Sequence, residues 1–367
     1  MSSNAAARAR DVLVRPFSVG SLTIDNRIAM APMTRQCSPG GVPGQDVAEY
    51  YARRAAGGVG LIVTEGTYVG HDSAGTSDRV PRFHGGDALA GWARVADVVH
   101  RAGGRIVPQL WHVGLARNVG EAPRMGPSGI PVDGSEPGRA MTSQDLDDVI
   151  EAFAAGGAAA EAYGFDGIEL HGAHGYLLDQ FLWAHTNHRT DAYGGDLVSR
   201  TRFAADIVAA CRTAVSPDFP IIFRTSQWKL GDYQARLAET PQELDALLTP
   251  LSEAGVDVFH CSTRRYWLPE FDGSDLNLAG WARKLSGKPT ISVGSVGLDN
   301  EFTGTLKGET SGVAGIDALL DRLEREEFDL IAVGRALLGD PDWAVKTLTG
   351  RTDDLRPFTR DDLTTLR

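Results

Sequence analysis

The chain has 367 residues, 42% of them apolar, and carries a formal net charge of −12. This length suits either two or three domains or one large α/β barrel. The acidic balance argues against a nucleic-acid-binding surface, which needs clustered Lys and Arg, and no stretch approaches the roughly 20 apolar residues of a membrane span.

Residues 1–12 are predicted to be the flexible N-terminus of a single domain that spans residues 1–367. No apolar run that could serve as a signal peptide follows them, so we expect a cytoplasmic protein. Further along the chain, eight apolar segments alternate with longer segments of helical spacing, and most are apolar at successive positions, as in parallel strands covered on both faces. The predicted strands are Arg27–Met33, Leu61–Val69, Arg105–Trp111, Gly167–Leu170, Ile221–Thr225, Val256–Cys261, Pro289–Val293 and Leu330–Val333.

Two of the intervening helices have explicit start sequences. Thr142 is followed by Asp145, and Thr240 by Glu243. A Thr with an acidic residue three positions later predicts a capping box, in which each side chain bonds the backbone N–H of the other residue.

Alternation of this kind fits either a closed barrel or a long doubly wound sheet. A doubly wound nucleotide-binding sheet would have a Gly-rich turn after its first strand, and no such turn follows Met33. Polar or Gly-containing turns instead follow many of the strands, as on the catalytic face of a barrel: Thr34, Gln109, His171, Arg224, Ser262, Gly294-Ser295 and Gly334-Arg335. The sequence therefore predicts a single (β/α)8 TIM barrel.

Two segments depart from the alternation. Residues Val113–Ala140 are rich in Gly, Pro and charge and predict a long loop after the third strand. Residues 298–316 are polar and Gly-rich and predict an insertion after the seventh strand. Loops of this length in compact domains are usually lids, interfaces or disordered segments.

The most specific segment places His171, His174 and Tyr176 at the end of the fourth strand. Imidazole N–H groups can donate hydrogen bonds to an anionic oxygen, and a phenol can deliver a proton. Single polar residues would merely close a strand, but the three together favour a catalytic site. A barrel metallohydrolase would have further His or carboxylate ligands at other strand ends, so we predict no metal.

Gly294 and Ser295 follow the seventh strand, and Gly334 and Arg335 follow the eighth. The last two loops of a TIM barrel often bind a phosphate through converging backbone N–H groups. Gly permits close approach of the backbone, and Arg335 adds a permanent charge. The pair of loops predicts a phosphate site.

These segments together resemble the Old Yellow Enzyme family of FMN-containing ene-reductases, from about Arg15 to Leu348. The resemblance implies non-covalently bound FMN and NADPH or NADH as the reductant. The motifs that carry it, in chain order, are Asn26–Arg35, Gln109–Trp111, His171–Phe181, Asn187–Gly195 with Ser199-Arg200, and Gly334–Ala336.

The resemblance assigns residues to the flavin. Pro32, Met33 and Thr34 would line the ring, with the Thr34 hydroxyl near the carbonyl O4. Gln109 would bind the pyrimidine edge, and Arg224 would approach N1 and O2, where negative charge collects on reduction. The phosphate would be held by Gly294, Ser295, Gly334 and Arg335.

The resemblance also implies a reaction. His171 and His174 would bind the carbonyl or nitro oxygen of an activated alkene, and Tyr176 would protonate its α-carbon. The nicotinamide nucleotide would reduce FMN and leave before the alkene binds, which is a ping-pong cycle. Tyr68, Trp111 and Trp267 would wall the substrate pocket; packing at the barrel rim is the alternative for all three, and an equal one for Trp267.

The chain has three cysteines, which lie far apart in sequence and suit a reducing compartment. Cys37 is predicted to be structural, because Thr34 occupies the position that carries a flavin-tuning Cys in some relatives. Cys211 and Cys261 are predicted to be buried.

Several alternatives stay open. FMN-dependent amine oxidation or demethylation could use the same barrel, and a metal-dependent hydrolase or a flavin protein without turnover are rivals from other classes. The small-molecule substrate, the choice between NADH and NADPH, and the oligomeric state, including a homo-oligomer, are left open. So are the roles of the 298–316 insertion and of the Arg264–Trp267 loop.

Overall fold

In the computed structural model, which describes residues 3–117, 121–300, 304 and 310–367, eight parallel strands form a closed barrel in chain order. Each strand pairs with the next, and the last pairs with the first. The strands are β1 (Ile28–Met30), β2 (Leu61–Tyr68), β3 (Arg105–Trp111), β4 (Ile168–His174), β5 (Ile221–Lys229), β6 (Val258–Ser262), β7 (Thr290–Val293) and β8 (Leu330–Val333). The predicted (β/α)8 TIM barrel is confirmed.

The observed strand ends agree with those predicted from the apolar pattern for some strands and not for others. β3 and β8 begin and end at the predicted residues. β1 ends at Met30, short of its predicted end, and Pro32 beyond it has no N–H to donate to the ladder. β4 extends past its predicted end to His174, and β5 extends to Lys229. These two residues are paired beyond an irregularity in the strand register that follows Gly172.

Helices cover the outside of the barrel, and no helix in the described part of the chain is both long and apolar enough to cross a membrane. The predicted capping box between Thr142 and Asp145 is present. Thr240 caps its helix by accepting from the Glu243 N–H, but the Glu243 carboxylate accepts from Glu239 N, so the second capping box is incomplete. The helices are α1 (Ser3–Leu13), α2 (Gln45–Ala56), α3 (Gly86–Arg101), α4 (Ser143–Ala162), α5 (Leu177–Leu182), α6 (Leu197–Ala214), α7 (Pro241–Ala254), α8 (Leu278–Ser286), α9 (Asp317–Glu324), α10 (Arg335–Gly339) and α11 (Trp343–Leu348).

The prediction of a flexible N-terminus was wrong for the residues that form α1. Ala9, Val12 and Leu13 are buried, at the i, i+3, i+4 spacing of one helix face. Arg8 forms an ion pair with Glu324 of α9 at 2.7 Å. Residues 1 and 2 of the predicted segment lie outside the described residues.

Both predicted irregular segments are present between the expected strands. The Val113–Ala140 loop contains a 3₁₀ turn at Gly114–Ala116 and two short paired strands, Met125–Gly126 and Arg139–Ala140; its residues 118–120 lie outside the described residues. Residues 301–303 and 305–309 of the 298–316 insertion also lie outside them. On either side of that gap, Leu298 pairs with Val313, and Ser311 pairs with Phe358.

Apolar side chains from seven of the eight strands, all but β4, fill the interior of the barrel. The antiparallel pair Phe17–Val19 and Leu22–Ile24 packs against them, and Ser21 N bonds the carbonyl of Asp218, just before β5. This hairpin therefore closes the amino-terminal end of the barrel. The interior residues are Ala29, Ala31, Leu61, Val63, Val107, Ile222, Val258, Ile291, Leu330 and Ala332.

The same end carries an arrangement that repeats in three pairs of strands. An aspartate lies just before each of β4, β6 and β8: Asp166, Asp257 and Asp329. Each carboxylate accepts a hydrogen bond of 2.8–2.9 Å from a backbone N–H at the start of the preceding strand, in Ile106, Ile221 and Thr290. Each also contacts a basic side chain of the helix before that strand, His100, Arg212 and Arg283. These bonds fasten alternate strand pairs at the base of the barrel.

We expect Asp257→Ala to lower the free energy of unfolding by about 1–3 kcal/mol, because the Ile221 N–H and the Arg212 guanidinium would lose their acceptor. Urea denaturation followed by circular dichroism measures the change. Asp97→Ala is the control, since the side chain of Asp97 pairs, in the described part of the chain, only with Arg101 of the same helix and at an exposed position. Equal effects of the two substitutions would contradict a fastening role for Asp257.

Candidate active site

A cavity of about 120 Å³ lies at the carboxyl ends of β1 to β5, the end at which TIM barrels carry their active sites. Its lining residues are Pro32, Thr34, Gly66, Gln109, Trp111, His171, His174, Tyr176 and Arg224. All of these except Gly66 were predicted site residues. The structure therefore places the three predicted catalytic side chains beside most of the predicted flavin-ring residues.

Gly66 was missed because a glycine within an apolar strand has no side-chain chemistry to attract attention. It lies next to an irregularity in the pairing of β2 with β3. A Cβ atom at this position would lie 2.5 Å from the Trp111 ring. Gly66 therefore allows the indole of Trp111 to lie against β2 at the edge of the cavity.

Aromatic rings surround the predicted proton donor. The Tyr176 ring packs edge-on against Trp111 at 4.8 Å and against His171 at 5.0 Å between ring centroids. Burial raises the pKa of Tyr176 to about 12. The phenol therefore holds its proton at neutral pH and can act as an acid.

His171 and His174 are neutral. Burial, followed by the nearby positive charge of Arg224, lowers the pKa of both imidazoles well below the usual value. The backbone of His174 lies in the left-handed region, with φ of 66°, and its N–H donates to the Ser226 hydroxyl at 3.0 Å. Each neutral ring can donate through one nitrogen and accept through the other.

Gln109 is oriented by a buried carboxylate that the sequence analysis did not identify. Its Nε2 donates to Glu169 Oε1 at 2.7 Å, and His260 Nδ1 lies 2.5 Å from Glu169 Oε2. Burial acts to raise the pKa of Glu169, but His260 and Arg224 outweigh it, so the pKa is lowered and the carboxylate is ionised. Because the Gln109 NH₂ is bonded to Glu169, its carbonyl oxygen remains as the acceptor for a ligand.

Arg224 lies on β5 between His171 of β4 and His260 of β6, its register partners. It is only 6% exposed, and its Nη2 lies 3.4 Å from the Ser262 hydroxyl. Its buried Nε has no hydrogen-bond partner within the described residues. A buried guanidinium with an unused N–H at a cavity wall is suited to bind an electron-rich ligand.

A fully buried ion pair supports the turn between His174 and Tyr176. Lys229 Nζ lies 2.8 Å from Asp179 Oδ1, and Asp179 Oδ2 accepts from the Gly175 N–H at 2.5 Å. Lys229 Nζ also donates to the backbone carbonyls of Ser226 and Gln227. The pair was missed because β5 was predicted to end at Thr225, so Lys229 was not assigned to the barrel.

Trp228 was missed for the same reason. Its ring stacks on the His174 imidazole, with centroids 4.4 Å apart and planes 28° apart. Its Nε1 donates to the backbone carbonyl of Ser262 at 3.2 Å. A strand predicted to continue through the polar residues Ser226 and Gln227 would have included it.

The predicted phosphate residues lie outside the small cavity, at the ends of β7 and β8. Ser295 has a left-handed backbone, with φ of 51°. A Cβ at Gly334 would lie 3.6 Å from Met33 Sδ, so the predicted ring residue and the predicted phosphate loop are neighbours. Arg335 donates to the Asn300 carbonyl at 2.7 Å and to the Ser311 hydroxyl at 3.1 Å, which brings the 298–316 insertion beside this loop.

The two remaining predicted pocket residues, Tyr68 and Trp267, lie in different places. Tyr68 packs on Trp111 at 5.3 Å but lines a different, open cavity of about 650 Å³, which shares no lining residue with the 120 Å³ cavity. Trp267 does not line the 120 Å³ cavity; it is 37% exposed and packs edge-on against Tyr266.

The cysteines lie away from the cavity lining. Cys211 and Cys261 are buried, and the Cys37 thiol donates to the Arg35 carbonyl. Within the described ranges of the chain, no three His, Cys, Asp or Glu side chains are grouped so that they could hold a metal ion.

Comparison with known proteins gives consistent matches. A sequence model of the NADH:flavin oxidoreductase / NADH oxidase family matches residues 12–354. NADH oxidase of Thermoanaerobacter brockii is 33% identical, over 92% of this chain and 51% of that protein. 12-oxophytodienoate reductase 2 of Arabidopsis thaliana is 30% identical, over 92% of this chain and 89% of that protein. The solved structure of morphinone reductase has a TM-score of 0.75 at 27% identity, over 92% of this chain and 89% of that one. The chain thus spans about half the length of the Thermoanaerobacter relative and most of the other two.

We expect Lys229→Met to destabilise the fold by about 3–5 kcal/mol, because Asp179 would be left buried without its cation. Adding Asp179→Asn should recover part of the loss, since the amide oxygen can still accept from the Gly175 N–H. Lys284→Met, at an exposed position on α8, is the matched control. Urea unfolding of the variants measures the differences, and a Lys229→Met protein as stable as the control would contradict the role of the pair.

Proposed function

Because this chain belongs to the NADH:flavin oxidoreductase / NADH oxidase family, we propose that it reduces the C=C bond of activated alkenes, such as α,β-unsaturated carbonyl or nitro compounds. The comparisons confirm that the chain belongs to the Old Yellow Enzyme family and that it is an FMN-dependent NAD(P)H oxidoreductase. The observation that carries the finer proposal is the meeting of His171, His174 and Tyr176 at one cavity.

The residues at the carboxyl end of the barrel fit FMN. Arg224 has a buried N–H that lacks an acceptor among the described residues, and Gln109 offers a carbonyl oxygen, which together suit the mixed donors and acceptors of a flavin pyrimidine edge. We assign the ring to these two residues with Pro32, Met33 and Thr34, and the phosphate to the loops of Gly294-Ser295 and Gly334-Arg335. FMN, when bound, supplies the hydride chemistry that links the nicotinamide nucleotide to the alkene.

The two neutral imidazoles supply the oxygen-binding site. An N–H of His171 and an N–H of His174 would donate to the carbonyl or nitro oxygen of the alkene. The side chains of His171, Trp111 and Arg224 that line the site are buried, so these bonds strengthen as negative charge develops on that oxygen. His171 and His174 therefore polarise the double bond and stabilise the enolate-like charge.

Tyr176 supplies the proton. Its raised pKa, about 12, keeps the phenol protonated until a carbanion-like carbon arrives. Its contacts with Trp111 and His171 hold the ring beside the oxygen-binding imidazoles. A protonated phenol is a poor base, so Tyr176 fits proton donation to an alkene better than proton removal from an amine, and among the described residues no carboxylate lines the 120 Å³ cavity.

A second cavity, of about 320 Å³, continues from the first and shares Trp111, His174 and Tyr176 with it. Much of its wall is apolar, and Asp133 is the one ionisable group that the described residues add to the shared His174 and Tyr176. A substrate with an apolar body and no carboxylate fits this wall. The apolar residues are Val113, Leu115, Ala116, Pro131, Val132 and Leu230.

The visible spectrum of the purified protein under anaerobic conditions tests the proposed function. We expect a yellow protein that bleaches with NADPH or NADH and regains its colour when 2-cyclohexenone is added. A yellow, bleachable protein that no enone or nitroalkene reoxidises would contradict alkene reduction and leave the FMN-dependent oxidoreductase assignment in place.

We expect Tyr176→Phe to slow the enone-dependent recovery of colour by about 10²–10⁴-fold, the range of general acid catalysis, and to leave bleaching by the nucleotide nearly unchanged. Stopped-flow absorbance measures both rates separately. Tyr163→Phe, at an exposed position after α4, should change neither. Equal slowing of the two half-reactions by Tyr176→Phe would contradict its assignment as the proton donor.

A further inference from the structure

We propose that Ser262 fixes the tautomer of His174, so that the ring carries its proton on Nδ1 and presents Nδ1–H to a ligand. Ser262 ends β6 and is 4% exposed, and its hydroxyl lies 2.8 Å from His174 Nε2. Ser262 is therefore a positioning residue that acts through His174. The functional consequence rests on the proposed role of His174 in binding the substrate oxygen, whereas the tautomer does not.

The direction of the hydrogen bond between Ser262 and His174 follows from Arg224. A guanidinium can only donate, so the contact of 3.4 Å between Arg224 Nη2 and Ser262 Oγ places a donor at the serine oxygen. If His174 also donated to that oxygen, the buried hydroxyl proton of Ser262 would have no acceptor among its contacts in the described residues. The arrangement that satisfies every group has Arg224 donating to Ser262 and Ser262 donating to His174 Nε2.

The other imidazole has the opposite tautomer. The Ala173 N–H donates to His171 Nδ1 at 3.3 Å, so the neutral His171 ring carries its proton on Nε2. The rings of His171 and His174 are nearly perpendicular, at 87°, with centroids 5.2 Å apart. One ring thus offers Nε2–H and the other Nδ1–H at the cavity that both line.

Ser262 also restrains the plane of the His174 ring through a second contact. Its backbone carbonyl accepts from Trp228 Nε1, and the Trp228 ring stacks on the His174 imidazole. Trp228 therefore covers one face of the His174 ring, and Ser262 both holds Trp228 and bonds the ring at Nε2. A flip of the ring would replace the Nε2 contact with a carbon atom, so Nδ1–H keeps one direction.

The test is a long-range ¹H–¹⁵N correlation spectrum of ¹⁵N-labelled holoenzyme, because the chemical shift of each ring nitrogen reports whether it carries the proton. His174→Gln assigns the His174 signals among the nine histidines by their loss. We expect protonated Nδ1 at His174 and protonated Nε2 at His171. In Ser262→Ala, the two His174 nitrogen shifts should move towards each other, whereas Ser262→Thr should restore the wild-type pattern.

Ser226→Ala is the matched control, because the Ser226 hydroxyl bonds the His174 backbone N–H and not its ring. A merely structural effect would appear in both serine variants, whereas the tautomer signals should change in Ser262→Ala alone. Affinity for the phenolate of 4-hydroxybenzaldehyde should fall about tenfold in Ser262→Ala, in line with one weakened hydrogen bond to a charged oxygen, and recover in Ser262→Thr.

Protonated Nε2 at His174 in the wild type, or an unchanged spectrum in Ser262→Ala, would overturn the proposal. Reoxidation by 2-cyclohexenone, measured on the same wild-type sample, tests the proposed function separately, since it depends on donation to the substrate and not on which nitrogen donates. The tautomer assignment and the alkene reductase assignment can therefore fail independently.

Discussion

Closure of eight parallel strands into one barrel is the constraint on which the candidate site depends. Closure brings the carboxyl ends of all strands to one rim, so residues more than 190 positions apart, from Pro32 to Arg224, line one cavity of about 120 Å³. Register then fixes which side chains are neighbours: His171, Arg224 and His260 are successive partners across β4, β5 and β6. The chemistry at the rim therefore follows from the pairing of the strands beneath it.

Burying ionisable groups at that rim costs free energy, because their charged forms lose hydration. In this chain, partners that bond the buried carboxylates offset that cost. Glu169 is bonded by Gln109 and His260, and Asp179 by Lys229 and the Gly175 N–H. Loss of Lys229 would leave the buried charge of Asp179 without its cation, and loss of any other partner would remove a hydrogen bond from a buried carboxylate. The consequence for function is rigidity, because the same bonds that neutralise the charges also orient Gln109 and hold the turn between His174 and Tyr176.

Apolar periodicity predicted the eight strands, β3 and β8 to the residue, and the polar residues at the strand ends then favoured a barrel over a doubly wound sheet. It failed where structure continues through polar residues: β4 and β5 extend as far as His174 and Lys229, so Trp228 and the Lys229–Asp179 pair were missed. Family resemblance supplied Gln109 and Arg224, whose positions at one cavity agree with it. Contacts such as Ser262 with His174 join residues 88 positions apart and need the folded chain.

The three aspartates at the base of the barrel fasten six of its strands into three pairs. Asp166, Asp257 and Asp329 each fasten one odd strand to the even strand that follows, and each uses a basic residue from the helix before that pair. Within the described residues, this fastening lies inside the pairs β3–β4, β5–β6 and β7–β8. A circular permutant with new termini in the loop between α5 and α6 would keep all three fastenings intact, because that loop joins β4 to β5 and lies between two fastened pairs.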